Sequence, residues 1–514
     1  MRFRSTRGGV TGATFEEALS RGYAPDGGLY VPEQLPNLSS EQLNLWRKLD
    51  FPSLQEEIMK LFVGDELSAY ELSGLVHRSY ESFSHKDIVP LVPLQNAPGA
   101  PVFIAELFHG PTFCFKDLGQ QVLVRLLARF AERSKVQKTF LVSTTGDTGP
   151  AAMRAVADAK SSNLKIVVFY PEGQISELQR RQMTTRAGAT ARVISFQGGG
   201  DDMDLPLKRL GADNAFAERH GLCGINSYNL GRPVAQLAHY FWSYFRALDR
   251  TGAEVGAAVD IVVPSGALGN LAAAFMALKM GLPLRRLVAG VNANDITHRT
   301  ITKGEFHRSE CMEKTLSDAI NIQVPYNMER IFYYLVGEDC RLVASWMAEM
   351  DRSGFFTLPS PWLQQMQAIF SSARVDDAAM CAATKRASEK HGYLPCPHTA
   401  VALGALWSAC HAVSPPTATV VLATASPCKF EASVTEAVGS ETWKKYQDGP
   451  TFPSDAREVL AARETPPRLF AACSTLTETQ DCWEAQVREI MDRGQRLGSR
   501  AAWNCFAWLD CLRV

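Results

Sequence analysis

The sequence predicts an α/β protein with doubly wound parallel sheets in two lobes, preceded by a mostly helical amino-terminal domain. Two observations carry the prediction. Short runs dominated by Val, Ile, Leu and Phe recur at Thr139–Ser143, Lys165–Tyr170, Arg192–Phe196, Asp260–Val263, Leu287–Val291 and Thr419–Ala423, with helical spacing of apolar residues between them. Near-continuous apolar strands of this kind belong to parallel sheets buried on both faces. The chain is also 514 residues long, past the size at which one core stops growing.

Along the chain, residues 1–98 read as the amino-terminal domain. Phe51–Phe62 and Leu67–Phe83 have helical periodicity, and Pro32, Pro36 and Pro52 separate the pieces. The proline-rich stretch from Pro90 to Pro101 makes a boundary. Residues 99–465, where strands and helices alternate, form the core. Residues 466–514 lose that alternation and are rich in Cys, Trp and Arg, so they are expected to be a divergent tail with a helix near Gln480–Gly494.

Composition narrows the function. The chain is 46% hydrophobic and 21% charged with a formal net charge of -1, so no overall field favours nucleic acid or an anionic membrane. The apolar stretch from Leu271 is broken by Lys279 and is too short to span a bilayer. No apolar run follows the basic start MRFRSTRGGV, so a secretory signal is not expected and a cytoplasmic location is. The 12 cysteines show neither Cys-x-x-Cys pairs nor Cys/His ligand spacing. Reduced structural thiols, and no metal site, are the expectation.

In open α/β sheets ligands sit in the loops after strands, and four such stretches are unusual. His109–Asp117 (HGPTFCFKD) feeds an amphipathic helix, Leu118–Phe130. Lys116 there sits among Phe113, Phe115 and Leu118, apolar company suited to an amine that reacts as a nucleophile. A solvated lysine whose stem covers the rings fits the same residues. Ser143–Gly149 (STTGDTG) presents hydroxyls and backbone N–H groups at a helix start, suited to a carboxylate or phosphate, or to plain N-capping. In Pro264–Asn270 (PSGALGN), Gly266 and Gly269 let the backbone approach an anion and the helix dipole favours its charge. It is not a nucleotide-binding G-x-x-x-x-G-K-[ST] loop, since no lysine follows. Thr424, after the last strand, is unremarkable by itself. His398 reads equally well as a packed or capping residue, and Asn292 and Asn294 as cleft lining or structure.

Taken together and in order, these stretches resemble the threonine synthase family. It belongs to the tryptophan-synthase-β-like group of pyridoxal 5′-phosphate (PLP) enzymes, fold type II. Ser5-Thr6-Arg7-Gly8 and Ala24–Tyr30 (APDGGLY) resemble its amino-terminal signature. His109–Asp117 resembles its cofactor-lysine motif, and Thr145–Gly149 its S-G-D-T-G loop. Asn226-Ser227-Tyr228-Asn229 with Arg232 resembles its N-S-x-N-x-x-R stretch, Gly266–Asn270 its phosphate loop, and Leu422–Phe430 its closing motif. The similarity is greatest to the family's animal branch, of phospho-lyase type. Gly198–Asp202 departs from the family's more aromatic stretch and receives no role.

The resemblance implies a fold type II PLP enzyme in which Lys116 is the catalytic residue and holds PLP as a Schiff base. Gly266, Ala267, Leu268, Gly269 and Asn270 would hold the cofactor phosphate, and Thr424 the pyridine nitrogen. Thr145, Gly146, Asp147, Thr148, Asn226, Ser227 and Arg232 would bind substrate, with Arg232 on the leaving phosphate. The implied substrate is a small phosphorylated amino acid, O-phosphohomoserine, and elimination would give 2-oxobutyrate, ammonia and phosphate. O-phosphothreonine would be a second substrate. Water addition giving threonine is the alternative outcome, and a catalytically silent PLP-fold binding protein the alternative of another class. The implied assembly is a monomer or homodimer, without nucleic-acid or membrane partners.

Overall fold

The computed structural model describes residues 1–188, 190–409 and 416–496. The chain divides into two units, each discontinuous in sequence. One joins Met1–Leu123 to Ser227–Pro453, and the other joins Val124–Asn226 to the residues from Ser454 onward.

The first unit is built on a six-stranded sheet in the order Phe370–Arg374, Leu284–Val291, Val259–Pro264, Ala418–Ala423, Val102–Glu106, Leu91–Pro93. All neighbours are parallel except the last pair. Every residue of Val259–Pro264 and Ala418–Ala423 is buried, which is why these strands, apart from Asp260 and Thr419, read as apolar runs. Ile104, Val262, Val288 and Val421 meet Val401 and Leu403 of helix Pro397–Ala409 in one core. Helix Gly231–Thr251 is buried along most of its length, including the polar side chains Arg232, Gln236, His239 and Ser243, which recur at helical spacing.

The amino-terminal segment lies in this unit. Strands Phe3–Ser5 and Tyr30–Pro32 pair antiparallel, and helices Phe51–Val63 and Ala69–Tyr80 match the periodic stretches. Their starts are fixed locally. Asp50 accepts the backbone N–H of Ser53, and Ser68 with Glu71 forms a capping box.

The second unit carries a five-stranded, all-parallel sheet in the order Arg468–Phe470, Ala191–Phe196, Leu164–Pro171, Lys138–Ser143, Leu222–Cys223. Residues beyond Pro466 supply its edge strand and helix Leu476–Arg496. Trp483 of that helix is fully buried, its ring 5.0 Å from Phe196, and its Nε1 donates to the carbonyl of Ala471 at 2.9 Å. The stretch expected as a tail therefore contributes Phe470, Trp483, Val487, Ile490 and Met491 to this unit's core. Residues 497–514 lie outside the described residues.

The six apolar strands of the sequence pattern are all present. Those the pattern passes over are short or polar. Phe370–Arg374 (FSSAR) and Leu222–Cys223 lack a continuous apolar run, and Val102–Glu106 adjoins the proline-rich boundary. Among the described residues no helix is long and apolar enough to cross a membrane.

Candidate active site

Three neighbouring parallel strands of the first unit, Val259–Pro264, Ala418–Ala423 and Val102–Glu106, end at the same sheet edge. The first leads into the glycine loop, the second into Thr424, and the third into the loop bearing Lys116. Topology thus brings together three segments well separated in sequence, at the strand ends where open α/β sheets bind ligands.

Lys116 is the first residue of helix Lys116–Ser134 and is half-buried, with its Nζ 5.4 Å from the centroid of the Phe115 ring. The loop before it is laced to the Thr424 segment. Phe115 N–H donates to the Thr424 carbonyl at 2.8 Å, Ser426 N–H to the Phe113 carbonyl at 3.0 Å, and Cys114 bridges Ala425. Phe113 takes a left-handed backbone, φ 62°, a conformation that bulky residues seldom hold without such constraint. Behind the lysine, Asp117 is fully buried and accepts from Thr112 N–H at 2.8 Å and Thr112 Oγ1 at 2.6 Å. Burial pushes its carboxyl up to about 6, against the opposing pull of Thr112 and Lys429. Lys429 Nζ donates to the Thr112 carbonyl at 3.0 Å and closes the loop from the far side.

The glycine loop forms a cradle. Leu268 is left-handed, φ 61°, at the N-cap of helix Gly269–Lys279, and no side chain caps that helix. An uncapped helix start offers N–H groups and a positive dipole end to an anion. A Cβ on Gly266 would stand 3.0 Å from Ile320 Cα, and one on Gly269 would stand 2.9 Å from Ser227 Cβ, so the cradle closes only around glycine. Asn270 is buried. Its Oδ1 accepts from His239 Nε2 at 2.9 Å and from Tyr240 OH at 2.5 Å. The same Tyr240 hydroxyl also reaches the Asn270 backbone carbonyl, at 2.7 Å, and Asn270 Nδ2 is left buried with no hydrogen-bond partner among the described residues. A buried donor without an acceptor is costly. An uncapped helix start, a cradle that admits no Cβ and an orphaned amide donor fit a phosphate group.

Burial lowers His239 to about 3, so the ring is neutral and its Nε2 carries the proton shared with Asn270. Arg232, in the first turn of helix Gly231–Thr251, is 2% exposed. Its Nε lies 3.1 Å from where a Cβ on Gly119 would stand, one turn into the Lys116 helix. Burial brings its guanidinium down to about 10, with Cys114 and Asp117 opposing.

Residues that carry no motif hold this arrangement. Asn327 Nδ2 donates to the carbonyls of Ala267 at 3.0 Å and Ser227 at 3.2 Å. Arg330, fully buried, donates to the carbonyls of Ser227, Tyr228 and Tyr30 and to Asn327 Oδ1. Glu329 takes Thr6 Oγ1 at 2.5 Å and both forks of Arg7, at 3.0 and 2.9 Å. The amino-terminal signature therefore anchors helix Met328–Leu335, which in turn pins the cradle. The pair Asn327/Arg330 is visible in the sequence only as an i, i+3 polar spacing on an aromatic helix.

The remaining predicted residues, Thr145, Gly146, Asp147, Thr148 and Asn226, belong to the second unit. Thr144 Oγ1 accepts Gly146 N–H and Gly149 N–H, each at 3.0 Å, and shapes the loop. Asp147 stands at the N-cap of helix Thr148–Ala159 but makes no side-chain capping bond. Gln179 Nε2 donates to its Oδ1 at 3.0 Å instead. Asn226 Nδ2 donates to the Ser143 carbonyl at 3.3 Å, leaving its buried Oδ1 without a partner among the described residues. Ser227 and Arg232 belong to the first unit.

Family models match three consecutive stretches: the threonine synthase N terminus over residues 2–80, a pyridoxal-phosphate-dependent enzyme over 85–360, and the threonine synthase C-terminal region over 399–480. The threonine synthase-like 2 protein of Rattus norvegicus is 39% identical over 494 residues, covering 96% of this chain and 97% of that protein. A PLP-bound threonine synthase from Brucella melitensis matches with a TM-score of 0.82 at 31% identity, over 95% of this chain and 99% of that one. The yeast threonine synthase structure matches with a TM-score of 0.83 at 30% identity, with the same coverage.

Proposed function

The chain belongs to the threonine synthase family and is a PLP-dependent enzyme, and from that premise we propose that it is a phospho-lyase. In this reading O-phosphohomoserine and one water become 2-oxobutyrate, ammonia and phosphate, and O-phosphothreonine is a second substrate. The observation that carries it is the shared sheet edge, where the Lys116 loop, Thr424 and the phosphate cradle end three adjacent strands.

PLP supplies the electron sink for charge developing at the substrate Cα. The chain supplies the rest. Lys116 anchors the cofactor, and its Nζ is the base for the Cα proton, beside the bond that must break. Residues Gly266 to Asn270 hold the cofactor phosphate through backbone N–H groups and Asn270 Nδ2. Thr424 offers a neutral hydroxyl to the ring nitrogen, which suits elimination more than transamination. Thr145, Asp147 and Thr148 line the substrate's carboxylate side, and Gly146, Asn226 and Ser227 bind substrate beside them. Arg232 receives the leaving phosphate, since a guanidinium clamps two oxygens at once.

Elimination leaves an unsaturated four-carbon unit. Water added at its Cβ gives threonine, whereas release and hydrolysis give 2-oxobutyrate. The similarity to the threonine synthase-like 2 relatives supports the second branch. Incubating purified protein with O-phosphohomoserine and quantifying both products decides between them. Threonine as the main product overturns the lyase reading.

A further inference from the structure

Away from the cradle, the first unit has a cleft of about 240 Å³ lined by Gln34, Leu35, Lys279, Tyr334, Gly337 and Glu338. Its charges are of opposite sign: Lys279 is exposed and Glu338 half-buried. Tyr334 is 2% exposed, and its hydroxyl is buried with no hydrogen-bond partner among the described residues. A hydroxyl left in that state costs about 1–3 kcal/mol, so an acceptor from outside the chain would relieve it. The neighbouring Tyr333 hydroxyl and Arg4 Nε are buried and unpartnered too.

We propose that this cleft binds a small free α-amino acid as its zwitterion, the carboxylate on Lys279 and Tyr334 and the ammonium on Glu338. The helices set the sign. Helix Gly269–Lys279 ends at Lys279, and helix Met328–Leu335 ends just before Gly337. Both helix carboxyl ends carry partial negative charge, which favours an ammonium group there. A plain anion would meet Glu338 and two negative helix ends, and a plain amine would meet Lys279. A ligand bearing both charges satisfies every group.

The position links this cleft to the cofactor. The same two helices have their other ends at the cradle. Gly269 and Asn270 open the first, and Asn327, just before the second, holds the Ala267 carbonyl. A ligand joining Lys279 to the end of the second helix would bear on both supports of the phosphate loop from about 16 Å away, the length of an 11-residue helix. This coupling rests on the cradle reading, whereas binding to the cleft does not.

The test is calorimetric titration of PLP-loaded, borohydride-reduced protein with L-alanine and L-methionine, with propionate and propylamine as single-charge controls. At least one amino acid should bind saturably, and neither control should. Lys279→Met and Glu338→Gln should each weaken that binding by at least about tenfold, the loss of one charge-assisted contact. Tyr334→Phe should weaken it about fivefold. Absence of binding by both amino acids, a control that binds as tightly, or unchanged affinity in either charge variant overturns the proposal. In unreduced protein the bound amino acid should shift the PLP dissociation constant at least about threefold, and Lys279→Met should lose that shift, which amino acid reacting with PLP itself would leave in place. No shift removes the coupling while leaving the site.

Discussion

The carbonyl of Thr424 accepts the backbone N–H of Phe115 at 2.8 Å. A residue just beyond strand Ala418–Ala423 is thereby fixed to the one that precedes Lys116. The reciprocal bond from Ser426 N–H to the Phe113 carbonyl makes the contact a short antiparallel bridge, so the two cofactor-facing groups of the proposal are mounted on one rigid support. Rigid mounting matters because misplacement by about 1 Å can cost on the order of a hundredfold in rate.

Lys116→Ala is expected to abolish the imine with PLP. Its absorbance band in the usual region for such imines, and the adduct trapped by borohydride, should both disappear. Activity should fall by at least about a thousandfold, the joint loss of covalent anchorage and base. A reducible adduct at the same site in this variant would refute the assignment.

Tyr240→Phe removes one of the two donors that orient Asn270. The amide is then held by His239 alone, and its Nδ2 is fixed less firmly towards the phosphate. PLP affinity should weaken about fivefold to tenfold, corresponding to roughly 1 kcal/mol. Equilibrium dialysis at fixed ionic strength measures this, and unchanged affinity would remove Asn270 Nδ2 from the cofactor contacts.

Glu329→Ala strands Thr6 and Arg7 together. The unfolding free energy should drop by about 2–3 kcal/mol, the range for charge-assisted bonds lost from a buried carboxylate. Asp351→Asn is the control. Asp351 is 67% exposed and lies 3.6 Å from Arg7, so its removal should change stability by less than about 0.5 kcal/mol. Denaturant midpoints of the two variants give the comparison.

His239 provides a pH signature. Its folded value, about 3, lies below the ordinary 6.5, so between those values the unfolded chain binds more protons than the native one. Stability from this residue is present above about 6.5 and is lost as pH falls towards 3. At pH 5 the loss is about 2 kcal/mol relative to neutral pH, given the unfolded value of 6.5. Comparing unfolding free energies of wild type and His239→Asn from pH 4.5 to 7.5 should show the wild-type curve rising more steeply. Parallel curves would contradict a neutral buried His239.

Much of this architecture was legible because its chemistry is local. Val259–Pro264 and Ala418–Ala423 are buried throughout, so hydrophobicity alone marks them. The cradle shows as glycines between a strand and a helix. What the sequence conceals is long-range support. Nothing local tells that Thr6 reaches Glu329, that Arg330 holds the Tyr30 carbonyl, or that Tyr240 orients Asn270, because each partner reads as ordinary until the fold joins them. The stretch beyond Pro466 was misleading for another reason. Its strand is only three residues long, and its helix buries an apolar face including Trp483 beneath a largely charged exterior.

The interleaving of the two units bears on how the protein is made. Strand Ala191–Phe196 leaves the ribosome early, yet its edge partner, Arg468–Phe470, follows only some 270 residues later. At translation rates of about 5–20 residues per second, that edge waits roughly 15–50 s without its partner. An unpaired apolar strand edge is a template for aggregation, so the nascent chain passes through a vulnerable interval that the finished enzyme never revisits. A premature stop before Arg468 would make the interval permanent, and such a truncated product is expected in the insoluble fraction even though it retains Lys116, the cradle and Thr424.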